Sequence, residues 1–231
     1  AGVVEQEQNR EYLVIKEVMN YVDPNTGSEI TIIPSENYEI TTMVDFGTKI
    51  LGTQNASLKN ITDFKDEISS ARTFSFLHEL EMLLDSGLIK GGDISNAIVY
   101  VDKELTPETA EKLKKAFGKE EVTIRPNGIL DNLTLNYPNE AARHKLLDVI
   151  GDLALTGVKI KGKVIATKPG HFVNTQFAKK LNRQWKLQKK KNVPDFDLKA
   201  EPVFDINGIM RLLPHRPPFL LIDKILELSD S

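Results

Sequence analysis

Apolar and polar positions change in short runs over the first fifty residues. Tyr12-Leu-Val-Ile-Lys and Ile30-Thr-Ile-Ile read as strands, and Asp23-Pro-Asn-Thr-Gly-Ser between them reads as a turn cluster. The period then lengthens. Between Thr73 and Asp85, residues Phe76, Leu80, Leu83 and Leu84 fall at i, i+4, i+7 and i+8, which predicts a helix of about three turns stopped by Gly87. Gly91-Gly92 predicts a turn and Ala97-Ile-Val-Tyr-Val a buried strand, so residues 69–101 read as a small strand, helix, strand unit. Thr106-Pro107 opens a helix ending near Gly118, because proline at the first helical position gives up an N–H that has no intrahelical partner anyway. Glu121-Val-Thr-Ile-Arg predicts one more strand.

The strongest helical period runs from about Asn139 to Leu155, with Leu146, Leu147, Ile150 and Leu153 on one face and Thr156-Gly157 as its end. Strand-like Val158–Thr167 leads to Gly170-His171 and a last helix from about Phe172 to Lys190, marked by Phe177, Leu181 and Trp185. Lys186-Leu-Gln-Lys-Lys-Lys-Asn-Val-Pro194 concentrates charge and ends in proline, the pattern of a helix tail entering a linker. No internal repeat is visible.

Composition narrows the classes. At 231 residues the chain has room for one large or two modest domains, and 40% hydrophobic with 27% charged residues is the mixture of a folded globular protein. Thirty basic against 33 acidic residues give a net charge of −3, so neither nucleic acid nor anionic membrane is expected as the main partner. The absence of cysteine excludes disulfides and thiolate chemistry, leaves metal binding to His and carboxylate, and is compatible with a reducing cytoplasm. No apolar run approaches the roughly 18–20 residues of a membrane span, and Ala1-Gly-Val-Val-Glu-Gln-Glu lacks the pattern of an export signal. A start without Met and a stop just after an apolar, strand-like segment read as a piece of a longer protein.

Four histidines can carry chemistry. His144 and Asp148 stand at i and i+4 on the strongest predicted helix, one turn apart on one face, a spacing that suits two ligands of one metal ion and equally a solvated His/Asp pair. Asp152 continues the stripe and is placed to orient another group. His171 follows Gly170 at a helix start, where it reads either as a capping neighbour or as a group that stabilises an oxyanion or donates a proton. His78 lacks the second histidine of HExxH and reads as a surface residue.

Three ordered motifs resolve these alternatives: Ala71-Arg-Thr-Phe-Ser-Phe76, Arg143-His-Lys-Leu-Leu-Asp148-Val-Ile-Gly-Asp152-Leu, and Gly170-His-Phe-Val-Asn174. Over about residues 1–185 they resemble the UDP-3-O-acyl-N-acetylglucosamine deacetylases, zinc enzymes of lipid A biosynthesis. The resemblance implies an α+β fold, a sheet-and-helix sandwich with a small β-α-β insert, and a chain corresponding to the second of that family's two domains. Gly87-Leu-Ile-Lys-Gly-Gly92 would belong to the insert that forms the passage for the substrate's acyl chain.

The same resemblance makes His144 and Asp148 two of three protein ligands to zinc. His171 becomes the oxyanion stabiliser or acid, Asp152 the group that holds its ring, and Thr73 a hydroxyl donor. Lys145 would face the diphosphate of a UDP-sugar lipid substrate, and Phe74 and Phe76 would line the acyl path or the sugar platform, with a core role open for Phe76. The third ligand and the general-base glutamate belong to a Glu-His pair of the family's first domain, and no Glu-His dipeptide occurs here. The chain alone is therefore expected to bind zinc weakly and not to deacetylate; an acyl or nucleotide-sugar binding fragment is the other reading.

Asn207-Gly-Ile-Met-Arg-Leu-Leu-Pro-His-Arg-Pro-Pro-Phe-Leu-Leu-Ile-Asp-Lys224 is similar to the opening of the 3-hydroxyacyl-[acyl-carrier-protein] dehydratases, which have a hot-dog fold. Its implications are a bifunctional parent and acyl carrier protein as a further partner. His215 would be structural or channel-adjacent, because that family's catalytic groups lie in motifs beyond Ser231. The expected organisation is a deacetylase second domain at 1–188, a basic, proline-containing linker at 189–204 and the first piece of a hot-dog domain at 205–231, in a cytoplasmic protein.

Overall fold

The computed structural model describes residues 11–87, 96–131, 133–191 and 199–228. The chain separates into two compact units, 1–184 and 185–231. The first is α+β. Its main sheet has six strands: β1 (Tyr12–Val14), β2 (Met19–Asp23), β3 (Ser28–Ile33), β4 (Tyr38–Asp45), β5 (Thr53–Leu58) and β8 (Lys159–Thr167). The order is β2-β3-β8-β4-β5, so the last strand in sequence sits in the middle. β8 runs antiparallel to β3, with Ile32 opposite Val164, and parallel to β4, with Ile40 opposite the same valine. β1 pairs in parallel with the first residues of β8.

Strand periodicity explains which face is covered. Ile160, Val164 and Ala166 point inward and are buried, while Lys159, Lys161 and Lys163 alternate with them on the other face. Gly162 takes an inward place because Ile15 and Ile32 already fill the space its side chain would need. Helix α4 (Glu140–Ala154) packs on β4 and β5 and buries Ala141, Ala142, Leu146, Val149 and Leu153. Each large aliphatic side chain so buried contributes on the order of 1.5–3 kcal/mol. The buried Thr42 hydroxyl donates to the Ala142 carbonyl at 3.0 Å, so strand and helix also share a satisfied polar contact. The predicted turn between β2 and β3 forms around Asp23, whose carboxylate accepts from the Asn25 N–H at 3.0 Å and the Thr26 hydroxyl at 2.9 Å.

A short helix α1 (Phe64–Glu67) precedes the β-α-β unit, made of β6 (Phe74–Phe76), α2 (Leu77–Asp85) and β7 (Ile98–Tyr100). β6 and β7 are parallel, with Phe74 opposite Ile98. The helix expected from Thr73 starts instead at Leu77. Phe74 and Phe76 pair with β7, and the Glu79 carboxylate accepts the Phe76 N–H at 3.0 Å, which fixes the strand-to-helix switch at that point. The expected Gly91-Gly92 turn and the Leu88–Gly92 part of the expected acyl passage lie outside the described residues.

Helix α3 (Pro107–Phe117) follows its predicted signals: the Thr106 hydroxyl accepts the Thr109 N–H at 3.2 Å, and Gly118 ends it in the left-handed region with φ 61°. The strand expected at Glu121–Arg125 does not form. Pro126-Asn127-Gly128 reverses the chain at once, leaving one bridge, Ile124 to Leu130, and an Arg125–Asp131 ion pair at 2.6 Å. Helix α5 (His171–Lys191) crosses from the first unit into the second. In the second unit, α6 (Ile206–Leu212) is capped by Asp205, which accepts the Gly208 N–H at 2.7 Å, and Phe204 bridges Ile225. Residues 192–198 of the expected linker lie outside the described set.

Gly162→Ala tests the packing. Its Cβ would stand 2.8 Å from Ile15 Cγ1 and 2.9 Å from Ile32 Cδ1, so a loss of about 1–3 kcal/mol is expected in urea denaturation, with the m-value unchanged.

Candidate functional site

The site grows from the face of α4 that does not touch the sheet. At 100° per residue, Glu140, His144, Asp148 and Asp152 follow one another at one-turn intervals, about 6 Å apart along the axis. Glu140 is fully buried, and its carboxylate takes four N–H donors. Arg72 supplies three, from its backbone N at 3.0 Å, Nε at 2.7 Å and Nη2 at 3.0 Å, and the Asn136 backbone N supplies the fourth at 2.6 Å. Burial pushes this carboxyl up, and the Arg72 and Asn136 donors more than offset it, leaving its pKa below the usual glutamate value. The latch holds residues 71–74 against the first turns of α4.

One turn further, His144 Nδ1 lies 3.2 Å from the Ala71 carbonyl. A carbonyl only accepts, so Nδ1 carries the hydrogen and Nε2 of the neutral ring is the acceptor. That nitrogen is 3.6 Å from Asp148 Oδ1. Asp148 is buried, and its other oxygen accepts from Lys145 Nζ at 3.0 Å. Lys145 also stands 5.6 Å from the Phe74 ring centroid, so its ammonium is engaged on the helix face itself.

Asp152 Oδ2 lies 2.9 Å from His171 Nδ1 and accepts from Asn174 Nδ2 at the same distance. His171 is the first residue of α5 and is 70% exposed, so its Nε2 faces the open side. The turn before it is strained: Lys168 has φ 50°, an uncommon value for a side-chain-bearing residue, and is pinned by its N–H to the Met43 carbonyl at 2.8 Å. Thr73, between Arg72 and Phe74, is exposed, and its hydroxyl has no partner among the described residues.

Aromatic rings form the adjoining wall. Phe74 is half-buried, with its centroid 6.3 Å from His144, 5.9 Å from Tyr100 and 5.3 Å from Phe46. Phe76 is 5% exposed and belongs to the core with Leu51, Ile98, Tyr100 and Ile129. Burial pushes the Tyr100 phenol up to about 12, so the wall is uncharged. His78 is exposed, as expected; its Nδ1 meets the Asp102 carboxylate, and its ring stacks on Phe76 at 6.0 Å. His215 is exposed in the second unit.

The structure thus brings His144, Asp148, Asp152, His171, Lys145 and Phe74 to one helix face and its border. Sequence reasoning missed three contributors. Glu140 was detectable as a carboxylate four positions, about one turn, before His144, whereas Phe46 and the Asn174 bond to Asp152 depend on long-range folding. Among the described residues, no three His, Asp or Glu side chains gather as a metal cage.

Residues 1–117 and 109–183 match the family described as UDP-3-O-acyl N-acetylglycosamine deacetylase, LpxC. The chain belongs to the LpxC family. A "Bifunctional enzyme LpxC/FabZ" of Bacteroides thetaiotaomicron is 43% identical over 230 residues, covering 100% of this chain and 50% of that protein. One of the same description from Porphyromonas gingivalis is 44% identical over 228 residues, covering 99% and 49%. A UDP-3-O-acyl-N-acetylglucosamine deacetylase of Syntrophotalea carbinolica is 35% identical over 177 residues, covering 76% and 49%. The chain spans about half the length of these LpxC relatives.

Removing one partner of the buried latch tests its weight. Arg72→Ala is expected to cost about 3–5 kcal/mol in urea denaturation, because it strands a buried charge, and the double variant Arg72→Met/Glu140→Leu to cost less than the single one. A depressed folded-state carboxyl contributes stability that is present above its unfolded pKa and lost as pH falls through the folded value. Stability is therefore expected to drop on acidification below about pH 4.5, and Glu140→Gln to flatten that limb.

Proposed function

We propose that this chain supplies one half of a zinc-dependent deacetylase that acts on UDP-3-O-(3-hydroxyacyl)-N-acetylglucosamine in lipid A biosynthesis, in the cytoplasm. The observation that carries this reading is the paired presentation on α4: His144 Nε2 beside Asp148 Oδ1 at 3.6 Å, and His171 held on Asp152 one turn along. The donor set suits zinc. His144 gives Nδ1 to a backbone carbonyl and turns an acceptor nitrogen toward a carboxylate, the arrangement that orients a ligating histidine.

A zinc ion held by His144, Asp148 and a ligand from another segment would supply Lewis-acid polarisation of the amide carbonyl and acidification of the attacking water. The chain's own residues do the rest. Asp152 and Asn174 fix the His171 ring with Nε2 outward, where it can donate to the oxyanion or to the departing amine. Thr73 is exposed, and its hydroxyl has no partner among the described residues, so it can offer a further donor. Phe74, beneath the Lys145 ammonium, offers an apolar surface beside a cation, suited to a sugar carrying a diphosphate. Two donors on one helix make a weak zinc site, which favours a chain that is inactive without its complement, the first deacetylase domain.

The second unit is read as the start of a fused 3-hydroxyacyl-[acyl-carrier-protein] dehydratase of the hot-dog fold, with acyl carrier protein as its partner. Supporting this, the deacetylase family match ends at residue 183, whereas the similarity to the bifunctional proteins continues over 98–100% of the chain. No described helix is long and apolar enough to cross a membrane.

Calorimetric zinc titration of the chain is expected to give a Kd weaker than about micromolar, with no turnover; submicromolar affinity or hydrolysis would refute the incomplete site. A chimera carrying the part of the Bacteroides thetaiotaomicron protein that precedes its matched stretch is expected to deacetylate. In that chimera, His171→Ala should lower kcat by about a hundredfold or more, and unchanged turnover would remove His171 from the mechanism.

A further inference from the structure

A second cavity lies on the other side of α4. It has a volume of about 660 Å³, within the range of small-molecule sites, and lies between the beginnings of β1, β4 and β8, the end of α4 and the segment after β5. On the helix, Ile150 and Ala154 are turned roughly opposite to the His144, Asp148, Asp152 stripe, so the cavity shares no wall with the site described above.

Its lining has two characters. Ile150, Leu153 and Ile160 give an aliphatic floor. Lys59, Lys159 and Lys161 contribute three cations, against a single carboxylate, Glu36, which meets Lys161 at 3.4 Å and is 91% exposed. Lys59 makes no hydrogen bond or ion pair among the described residues. The Tyr38 hydroxyl also lacks a partner, and burial pushes its phenol up, so it remains a donor at neutral pH. The Tyr12 ring carries Lys159 and Lys161 at 5.4 and 5.5 Å from its centroid. Those cations occupy the aromatic surface on which a nucleobase would stack, while the aliphatic floor offers little to a neutral sugar.

We propose that this cavity binds an aliphatic anion, an acyl chain ending in a carboxylate or phosphate, with the chain on the Ile150, Leu153, Ile160 floor and the head between Lys59, Lys159 and the Tyr38 hydroxyl. A cation and a hydroxyl donor that have no protein partner among the described residues, at the rim of an apolar cavity, are better matched by an anion than by a neutral group of the same length.

The test is calorimetric titration of the full chain with decanoate and decyl phosphate below their micellar concentrations, and with decanol and decyltrimethylammonium as controls. Both anions are expected to bind, at least tenfold more tightly than either control, with affinity falling as salt rises. Tyr38→Phe keeps the ring and should weaken decanoate severalfold with the melting temperature kept. Lys59→Gln/Lys159→Gln changes exposed positions and should weaken it tenfold or more. If only one anion binds, the head is assigned to that class. Equal binding of decanol, no binding of either anion at millimolar concentration, or wild-type affinity in both variants overturns the proposal.

Discussion

The site depends on one constraint: a carboxylate with no access to water must be surrounded by donors. Glu140 meets it with four N–H groups, three of them from Arg72, at the positive end of α4. A bond to both the backbone and the side chain of Arg72 fixes position as well as proximity. Residues 71–74 therefore cannot shift along the helix without exposing the charge to an apolar interior. From that registration follow the Ala71 carbonyl on His144, the place of Thr73 and the ring of Phe74 beside the imidazole. A buried charge pair of this kind contributes little net stability over an apolar pair, while loss of either partner strands the other.

The second organising fact is that α4 serves two purposes on separate faces. Ala141, Ala142, Leu146, Val149 and Leu153 anchor it to the sheet, so the stripe of His144, Asp148 and Asp152 projects from a support that cannot rotate. The chain then leaves α4, runs through the middle of the sheet as β8 and turns at the strained Lys168 into α5. Because β8 is hydrogen-bonded on both sides, the start of α5 inherits the precision of the sheet. The Asp152–His171 bond closes that loop of structure, joining residues 19 positions apart through three rigid elements.

Local chemistry made much of this legible in the sequence. Periodicity located α4 and α5 because their apolar residues recur at helical spacing, with Gly157 marking the end of α4, and the Thr106-Pro107 start and Gly118 stop located α3. It misjudged the start of α2, since Phe74 and Phe76 satisfy a strand period equally well and only pairing with β7 selects between the two. It also assigned a strand to Glu121–Arg125, where the composition suits a strand but the turn at Pro126-Asn127-Gly128 leaves no room for a ladder. The stripe on α4 needed only spacing. The Arg72–Glu140 pair spans 68 positions and the place of Phe46 depends on β4 meeting β6, so neither has a local signature.

The two histidines differ in their second contacts. His144 gives Nδ1–H to the Ala71 carbonyl, so that in the neutral ring Nε2 is an acceptor, 3.6 Å from Asp148 Oδ1. His171 gives Nδ1–H to a carboxylate that Asn174 already holds in place, and its side chain is 70% exposed. Under the proposed function, exchanging the partners would put each second nitrogen in the wrong setting: a ligand in the open and a proton carrier against Asp148. Under that reading, the second contacts of the two rings, more than the histidines themselves, set them apart from histidines on an exposed surface.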